Sequence, residues 1–495
     1  MTVRVRLAPS PTGYMHIGTL RNAIYNYVFA KQNNGVFYVR IEDTDMDRMV
    51  TGAYESLLEG LKWSGMNYTE GPDIGGPYAP YIQTERSKRH IEVAMELIER
   101  GHAYYCFCTK TELEEMRKMQ EARGLPPQYD RRYRDFPIDQ AKEWVAEGKE
   151  YVVRLKMPLT GDLICDDIVR GKVKFPAKDL DDCILLKSSG VSTYHLAAMV
   201  DDHDQGTTHI IRSEEWLPSI AKHQYLFQAM DWEAPKFAHL PLILNEDRTK
   251  MSKRKGDVSL DSYIQKGYLK EALINFLSLL GWTHPEQKEV FDIDELIRVF
   301  DLGKIHKAGA IFKLEKLNWI NGQHIRMQNP ENLMTLIIEH GTSFGYIADF
   351  TNHIEINGNK VDKDTFLKII QHSQSKLTLL PEISEQMTWY FDTELHFSKD
   401  LFVHEKMQVT HQGARDALIR ISSELESMND WHLELLKEKL FALGATLGLS
   451  NGQLLWPLRV ALSGLPVSPG AFELADILGK EETLRRIGHA LKKLE

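Results

Sequence analysis

The chain has 495 residues, which at about 150 residues per domain leaves room for roughly three domains and excludes a single small binding module. Apolar residues make up 43% and charged residues 26%, ordinary for a protein with buried cores, so wholesale disorder, collagen-like repeats and low-complexity architectures are excluded. A net charge of −10 means that a polyanionic partner must be met by local basic surface, and four cysteines cannot staple a chain this long, which points to a reducing, cytoplasmic compartment.

The first thirty residues contain no uninterrupted apolar stretch of signal-peptide type. The greasiest run, Ala272 to Trp282, is interrupted by Asn275, Ser278 and Gly281 and is too short to cross a bilayer, so a soluble protein without a membrane partner is expected. Val3, Val5 and Leu7 alternate with Arg4 and Arg6, the period of a strand that Pro9 to Gly13 then stops. From Ile17, the positions of Leu20, Ile24, Tyr27 and Val28 predict a helix ending at Asn33-Asn34-Gly35. Val36 to Ile41 is a second strand, running out at Glu42-Asp43-Thr44-Asp45. Strand, helix and strand in so short a span make a parallel crossover unit, the building block of nucleotide-binding sheets, whose ligands sit beyond the carboxyl ends of the strands. Those ends are Arg6 to Ser10 and Glu42.

Residues from about Ala103 to Ser188 change character, with Cys106 and Cys108, a charged helix around Thr111 to Arg123 and a strand over Tyr151 to Leu155, and predict an α+β insertion. Strands return at Tyr194 to Val200 and His209 to Arg212. They become rare after about Asn245, and from about Pro330 the pattern is helical, as in Lys437 to Leu443 and Leu484 to Leu494, so an all-helical appendage is expected.

His16-Ile17-Gly18-Thr19 falls where the first strand turns into its helix. A helix N-terminus offers unsatisfied N–H groups and positive dipole to phosphates, and a small Gly18 lets a nucleotide approach the backbone. In isolation these four residues are a helix-capping loop. Far downstream, Lys250-Met251-Ser252-Lys253-Arg254-Lys255-Gly256 is a dense cationic loop. Alone it is a solvated basic turn; across a nucleotide pocket, its ammonium groups would stabilise charge growing on a triphosphate as pyrophosphate leaves.

The pair resembles the two signatures of class I aminoacyl-tRNA synthetases. Arg6 to Gly13, Arg40 to Asp45, Thr193 to Leu196 with Val200 to His203, and Ile211 to Trp216 narrow the resemblance to glutamyl-tRNA synthetases. Phe312 to Asn321 and Pro457 to Gly464 are similar to the bacterial type of that family, and the resemblance covers essentially the whole chain. It implies a Rossmann-type parallel-sheet catalytic domain interrupted by an α+β insertion, then a mainly helical stem-contact region and an all-α anticodon-binding domain. Along the chain these are residues 1–102 and 189–246 for the two catalytic halves and 103–188 for the insertion that binds the acceptor end. The stem-contact region with the cationic loop is 247–329, and the anticodon-binding domain is 330–495.

The implied reaction attaches L-glutamate to tRNA(Glu) through a glutamyl-adenylate, using ATP with Mg²⁺, and in the family tRNA is needed even for activation. The implied catalytic residues are His16, Lys250 and Lys253. Glutamate falls to Arg6, Ser10, Glu42, Tyr194 and Arg212, and ATP to Thr12, His16, Gly18, Glu215, Trp216, Ile243 and Lys253. The chemistry of the ligand agrees: two carboxylates and one ammonium call for about two fixed cations and one anion, which Arg6, Arg212 and Glu42 supply at strand ends. A monomer is expected.

The pattern has departures. Thr19 stands where the first signature has a second His and Arg254 where the second has a Ser, both common in this branch; Ser189 and Ser192 replace a usual Asp and Pro, and Ala198 replaces an Asn that touches glutamate in some relatives. Cys106-Phe107-Cys108 resembles half of a structural zinc site that some relatives complete with a Cys and a His near Tyr133 and Asp135. Tyr133, Asp135 and His102 are poor substitutes, and Cys165 and Cys183 lie outside the required spacing, so no structural zinc is expected. Two other readings stand beside the ligase. A small-molecule adenylyltransferase would have no use for the helical tail, and an inactive RNA-binding paralogue would not need Arg6, His16, Glu42, Arg212 and Lys253 intact. A glutaminyl enzyme would end in β-barrels.

Overall fold

The structure, a computed structural model, describes residues 2–251, 258–392 and 394–495. The chain divides into two compact units, one formed by Met1–Ile264 with Lys270–Leu317, the other by Gln265–Leu269 with Asn318–Glu495.

The first unit opens as the sequence predicts. Strand β1 (Arg4–Leu7), helix α1 (Ile17–Gln32) and strand β2 (Val36–Val39) form a crossover in which β1 and β2 pair in parallel, Arg4 opposite Val36 and Leu7 opposite Val39. Gly35 closes the return: a Cβ there would lie 2.3 Å from the Val3 carbonyl, which accepts the Val36 N–H at 2.8 Å. Helices α2 (Ala53–Trp63) and α3 (Ser87–Glu99) follow, then strand β3 (Ala103–Cys106) and helices α4 (Lys110–Ala122) and α5 (Ile138–Ala146). A Thr109/Glu112 capping box starts α4. Strands β4 (Val152–Leu155), β5 (Asp162–Asp167), β6 (Gly171–Pro176) and β7 (Ile184–Leu186) lead to helix α6 (Tyr194–Asp204), strand β8 (His209–Ser213), helix α7 (Ile220–Ala229) and strand β9 (Lys236–Leu240).

Strands β3, β4 and β7 make a separate antiparallel sheet. The β5–β6 hairpin instead joins the main sheet, since β5 meets β9 in parallel at Asp167 and Phe237. Strand β9 runs parallel to β8, and β1 lies against β8, with the Thr208 N–H donating to the Arg4 carbonyl at 2.9 Å. The spatial order is thus β2, β1, β8, β9, β5, with the carboxyl ends of β1, β2, β8 and β9 at one edge. That edge is where a doubly wound sheet takes its ligand.

The stretch Tyr194 to Val200, read from sequence as a strand, is the start of helix α6. Leu196 through Asp202 are all buried, so this helix is covered on every side and lacks the one-sided apolar stripe from which periodicity is read.

In the second unit the expected helices are present, among them Pro330–Ser343, Lys363–Ser373, His411–Glu426, Leu433–Leu447, Asn451–Ser463 and Ala471–Leu494, the last broken at Gly479. The expectation of an all-helical tail is corrected by a three-stranded antiparallel meander of Ile347–Asp349, His353–Ile356 and Asn359–Asp362. Its tight hairpin turns on Asn357 and Gly358, both at positive φ, the dipeptide whose backbone twist matches two paired strands. Among the described residues no helix is long and apolar enough to cross a membrane.

Candidate active site

A cavity of about 560 Å³ opens at the carboxyl edge of the parallel sheet. Its lining includes Arg6, Ser10, Thr12, His16, Gly18, Glu42, Tyr194, Arg212, Glu215, Trp216, Ile243 and Lys250. Every predicted site residue except Lys253 therefore meets in one place, from five stretches of chain. Lys253 lies outside the described residues. The residues on either side of that gap, Met251 and Val258, both line the cavity. Met251 donates its N–H to the Ile243 carbonyl at 3.1 Å, and the Val258 carbonyl accepts the Ile17 N–H at 2.9 Å.

Two guanidinium groups at one end are tied to carboxylates. Arg6 donates through Nε and Nη2 to the two oxygens of Asp202 at 2.9 and 3.1 Å. Arg40 donates to Asp202 at 2.8 Å, to Gln205 at 3.0 Å and to Glu42 at 3.0 Å. Backbone pairing continued past β1 sets Glu42 in position, its N–H donating to the Pro9 carbonyl at 3.0 Å. Burial would raise the Asp202 carboxyl, but Arg40 and Arg6 outweigh it and hold the group at about 2. At Glu42 burial wins and lifts the carboxyl above its usual range despite Arg40 and Arg6. Glu42 is an anion in want of a further cation.

Arg212 is different. It is 4% exposed, and its donors go to His239 Nε2 at 3.0 Å, the Tyr194 hydroxyl at 2.8 Å, His223 Nδ1 at 3.2 Å and the Trp216 carbonyl at 3.3 Å. All four acceptors are neutral groups, and one of the five N–H donors of a guanidinium is left for a ligand. Burial draws its pKa below the ordinary arginine value, the mark of a cation short of negative charge. Arg6 and Arg40 thus have carboxylate partners, whereas Arg212 has none within hydrogen-bond reach among the described residues, a deficit that a ligand carboxylate would fill.

The other end of the cavity is built on the start of α1. His16 caps the helix, its Nδ1 accepting the Thr19 N–H at 3.2 Å, while its Nε2 lies 3.2 Å from the Thr19 hydroxyl. A Cβ on Gly18 would fall 3.0 Å from His16 Nδ1, so glycine here leaves room for the capping ring as well as for a ligand. Lys250 and Glu215 form an ion pair across the mouth. Trp216 packs against Tyr194 with ring centroids 4.3 Å apart and planes tilted by 38°, and remains 41% exposed, an aromatic surface open to a planar ligand.

Among the described residues no group of three or more His, Cys, Asp and Glu side chains is arranged to hold a metal ion. Cys106 bonds to the Tyr129 hydroxyl at 3.1 Å and accepts from Arg154 Nε at 3.4 Å. Tyr133 packs edge-on against Phe107, Asp135 pairs with Lys156 at 3.2 Å and His102 bonds to Tyr225 at 3.2 Å, so these side chains are engaged elsewhere.

Residues 2–319 match the family described as tRNA synthetases class I (E and Q), catalytic domain, and residues 334–491 match an anticodon binding domain. The chain is 42% identical over 494 residues to a glutamate–tRNA ligase of Clostridium botulinum strain Loch Maree, covering 100% of this chain and 99% of that one. It is 41% identical to the glutamate–tRNA ligase of Clostridium tetani, covering 100% and 98%. The chain belongs to the class I tRNA synthetases, in their glutamate–tRNA ligase branch. The crystal structure of a glutamate tRNA ligase from Elizabethkingia meningosepticum in complex with its amino acid superposes with a TM-score of 0.88 at 36% identity over 100% of both chains. A second synthetase, from Elizabethkingia anophelis, gives a TM-score of 0.86 at 37% identity, covering 99% of this chain and 100% of the other.

Two of this synthetase's departures have structural accounts. Ser192 is buried, and its hydroxyl lies 3.0 Å from His90 Nδ1, a bond that a proline could not make. Ala198 is fully buried in the core beneath the sheet edge and does not line the cavity. Sequence reasoning overlooked Arg40 and Asp202, although both lie in segments that carried the resemblance. It had no local signal for His223 and His239, which reach Arg212 from α7 and β9, or for Asp167 at the end of β5, which holds His239.

Proposed function

We propose that this synthetase attaches L-glutamate to tRNA(Glu) in two steps, with ATP consumed in the first. The observation that carries the reading is the buried Arg212 guanidinium, held by neutral acceptors, in the same cavity as Arg6 and the raised Glu42. Glutamate brings two carboxylates and one ammonium, which matches the missing negative charge and gives Glu42 its cation. Ser10 and Tyr194 complete the glutamate end. The Tyr194 hydroxyl accepts from Arg212 and keeps its own proton to donate.

ATP lies along Thr12, His16 and Gly18, with Glu215, Trp216 and Ile243 at its base end and Mg²⁺ arriving with the triphosphate. The glutamate α-carboxylate attacks the α-phosphorus, the bond to the bridging oxygen breaks, and pyrophosphate leaves toward Lys250 and Lys253. A terminal ribose hydroxyl of the tRNA then attacks the glutamyl carbonyl and AMP departs. No side chain becomes covalently attached, so the protein contributes position and electrostatics. Lys250 must exchange Glu215 for phosphate, and that pair is exposed enough to open at little cost.

Residues 1–102 and 189–246 serve as the catalytic halves, 103–188, apart from the β5–β6 hairpin that joins the catalytic sheet, meets the acceptor end, 247–329 meets the stem and 330–495 reads the anticodon, in a cytoplasmic monomer. ATP–pyrophosphate exchange with glutamate, run with and without tRNA, tests the reaction. Exchange that appears only with tRNA supports the synthetase, exchange indifferent to tRNA points to a small-molecule adenylyltransferase, and none under either condition to an RNA-binding paralogue. Aminoacylation of purified tRNA(Glu) and tRNA(Gln) decides whether the second is also charged.

A further inference from the structure

Behind Arg212 each hydrogen bond fixes the protonation of the next group. Asp167, at the end of β5, accepts backbone N–H groups from Val169 at 2.9 Å, Arg170 at 2.8 Å and His239 at 3.1 Å, and its Oδ2 lies 2.6 Å from His239 Nδ1. A carboxylate only accepts, so His239 carries its proton on Nδ1 and presents a bare Nε2 to the Arg212 Nε–H at 3.0 Å. On the other side Arg212 Nη1 donates to His223 Nδ1 at 3.2 Å. That leaves the His223 proton on Nε2, which lies 3.1 Å from His195 Nδ1. These tautomers follow from the hydrogen-bond network.

His223 and His239 are both fully buried. Each accepts from a cation, so each must be neutral, and a proton on either accepting nitrogen would set two donors face to face. Their surroundings favour that state. His223 faces burial, Arg212, His195, His239 and Arg6, all of which oppose its protonation. His239 feels burial, Arg212 and Arg170 in the same sense, against Asp167. A carboxylate touching Arg212 directly would hold the guanidinium equally well but would cancel its charge, as Asp202 does for Arg6. Here the carboxylate is kept one imidazole away.

We propose that His239 and His223 are positioning residues for glutamate recognition: they lock the rotation of the Arg212 guanidinium while leaving its charge to the substrate carboxylate. The proposal rests on Arg212 as a glutamate-binding group. Two pairs of variants test it by aminoacylation at saturating tRNA, with glutamate varied at saturating ATP and ATP varied at saturating glutamate. His239→Gln can return an acceptor near the Nε2 position, whereas His239→Leu has none; His223→Asn and His223→Leu make the same contrast at Nδ1. The acceptor-free variants should raise the glutamate KM by about tenfold or more, with kcat within about threefold and the ATP KM unchanged. The acceptor-retaining variants should stay within about threefold of the unsubstituted enzyme. An unchanged glutamate KM in either folded acceptor-free variant overturns the proposal, as does a Gln or Asn variant as impaired as its apolar counterpart, or an equal rise in the ATP KM. If one acceptor-free variant does not fold, the other pair decides on the same criteria. Failure of the unsubstituted enzyme to charge glutamate would instead defeat the functional reading itself, before any variant is compared.

Discussion

Arg486 in the helical unit and Arg212 in the catalytic unit are 1% and 4% exposed, but the protein treats the two charges differently. Arg486 spends all its donors. It bonds to the carbonyls of Trp389 at 2.9 Å, Leu462 at 2.6 Å, Tyr390 at 3.2 Å and Asp392 at 3.0 Å, and to the Glu482 carboxylate at 2.7 Å. Those carbonyls end helices, so the side chain fastens the close of the Asn451–Ser463 helix to the short helix Thr388–Phe391 and its cap Asp392. Arg212 meets neutral acceptors and lines a cavity. A saturated, charge-matched guanidinium is a structural pin; one left short of an anion is waiting for a ligand.

The comparison is broken most directly by removing each charge. Arg212→Met should lower kcat/KM for glutamate by about 10³-fold, the loss expected for a buried charge-assisted contact, while costing less stability than Arg486→Met, because relief of an unmatched buried charge offsets the His239 and His223 acceptors it orphans. Arg486→Met should do the reverse, costing about 3 kcal/mol of stability by orphaning buried carbonyls, although Glu482 keeps Arg485, with the catalytic constants of the folded fraction retained. Urea denaturation and steady-state kinetics on both variants provide the check. A large stability loss at Arg212 with unaltered kinetics would erase the distinction.

The next effect concerns cations that act only as bonds break. Lys253→Ala should slow adenylate formation by about 10²-fold while ATP binding changes less, because its charge matters most as pyrophosphate departs. Single-turnover measurement against ATP affinity separates the two, and a rate within a few-fold of the parent would reduce the loop to a solvated turn.

How far the sequence could be read follows the same division. The crossover of β1, α1 and β2 was legible because its apolar periods, its Asn33-Asn34-Gly35 stop and its strand ends are all local signals. Arg6, Glu42 and Arg212 were legible as strand-end charges matched to glutamate, and the cavity gathers them. Helix α6 was misread because a helix buried on every side has no amphipathic stripe. The meander at 347–362 was missed although Asn357-Gly358, between short alternating runs, carried its signal. The imidazoles behind Arg212 were not legible at all. Their function depends on a tertiary hydrogen bond between β8, β9, α7 and the end of β5, and no spacing in one chain encodes that.

Acid should separate the two regions again. Burial first, then Lys222, lowers the His195 pKa to about 4, with Arg212 acting in the same sense and Asp181 opposing; His223 and His239 are lowered as well. Below the ordinary histidine value of about 6.5 the unfolded chain takes up protons that these folded rings refuse. Stability around Arg212 is therefore full above about pH 6.5 and falls toward about pH 4, by about 1.4 kcal/mol per unit for each imidazole that stays neutral. Glu482 has its pKa lowered: burial would raise it, but Arg485 and Arg486 prevail, so stability at Arg486 is lost only as pH falls below the ordinary glutamate range. Hydrogen exchange at pH 7 and pH 5.5 should show protection falling around β8 and α7 and holding in the 471–494 helix. Equal loss in both places would contradict the assignment of neutral imidazoles.

The smallest effect is expected at Cys106, and it tests whether a pair of spaced cysteines behaves like the Arg212 site or like the Arg486 pin. A structural zinc site needs four ligands, normally thiolate or imidazole. Cys106 is 1% exposed and held between the Tyr129 hydroxyl and Arg154, whose guanidinium lies 3.9 Å from the centre of the Tyr129 ring. Burial pushes the Cys108 thiol up to about 11, so without a metal it is a protonated, unreactive thiol at neutral pH. Phe107 fills the space beside them through ring contacts with Tyr133, Phe136, Trp144 and Tyr151. The contacts around this pair are thus supplied by protein, as at Arg486, and packing holds the insertion. Protein purified without chelator should contain zinc well below one equivalent, and Cys106→Ser, which keeps a donor and acceptor at nearly the same place, should cost no more than about 1 kcal/mol. One equivalent of zinc, lost together with stability in that variant, would place Cys106 and Cys108 among ligand-binding groups and sink the prediction.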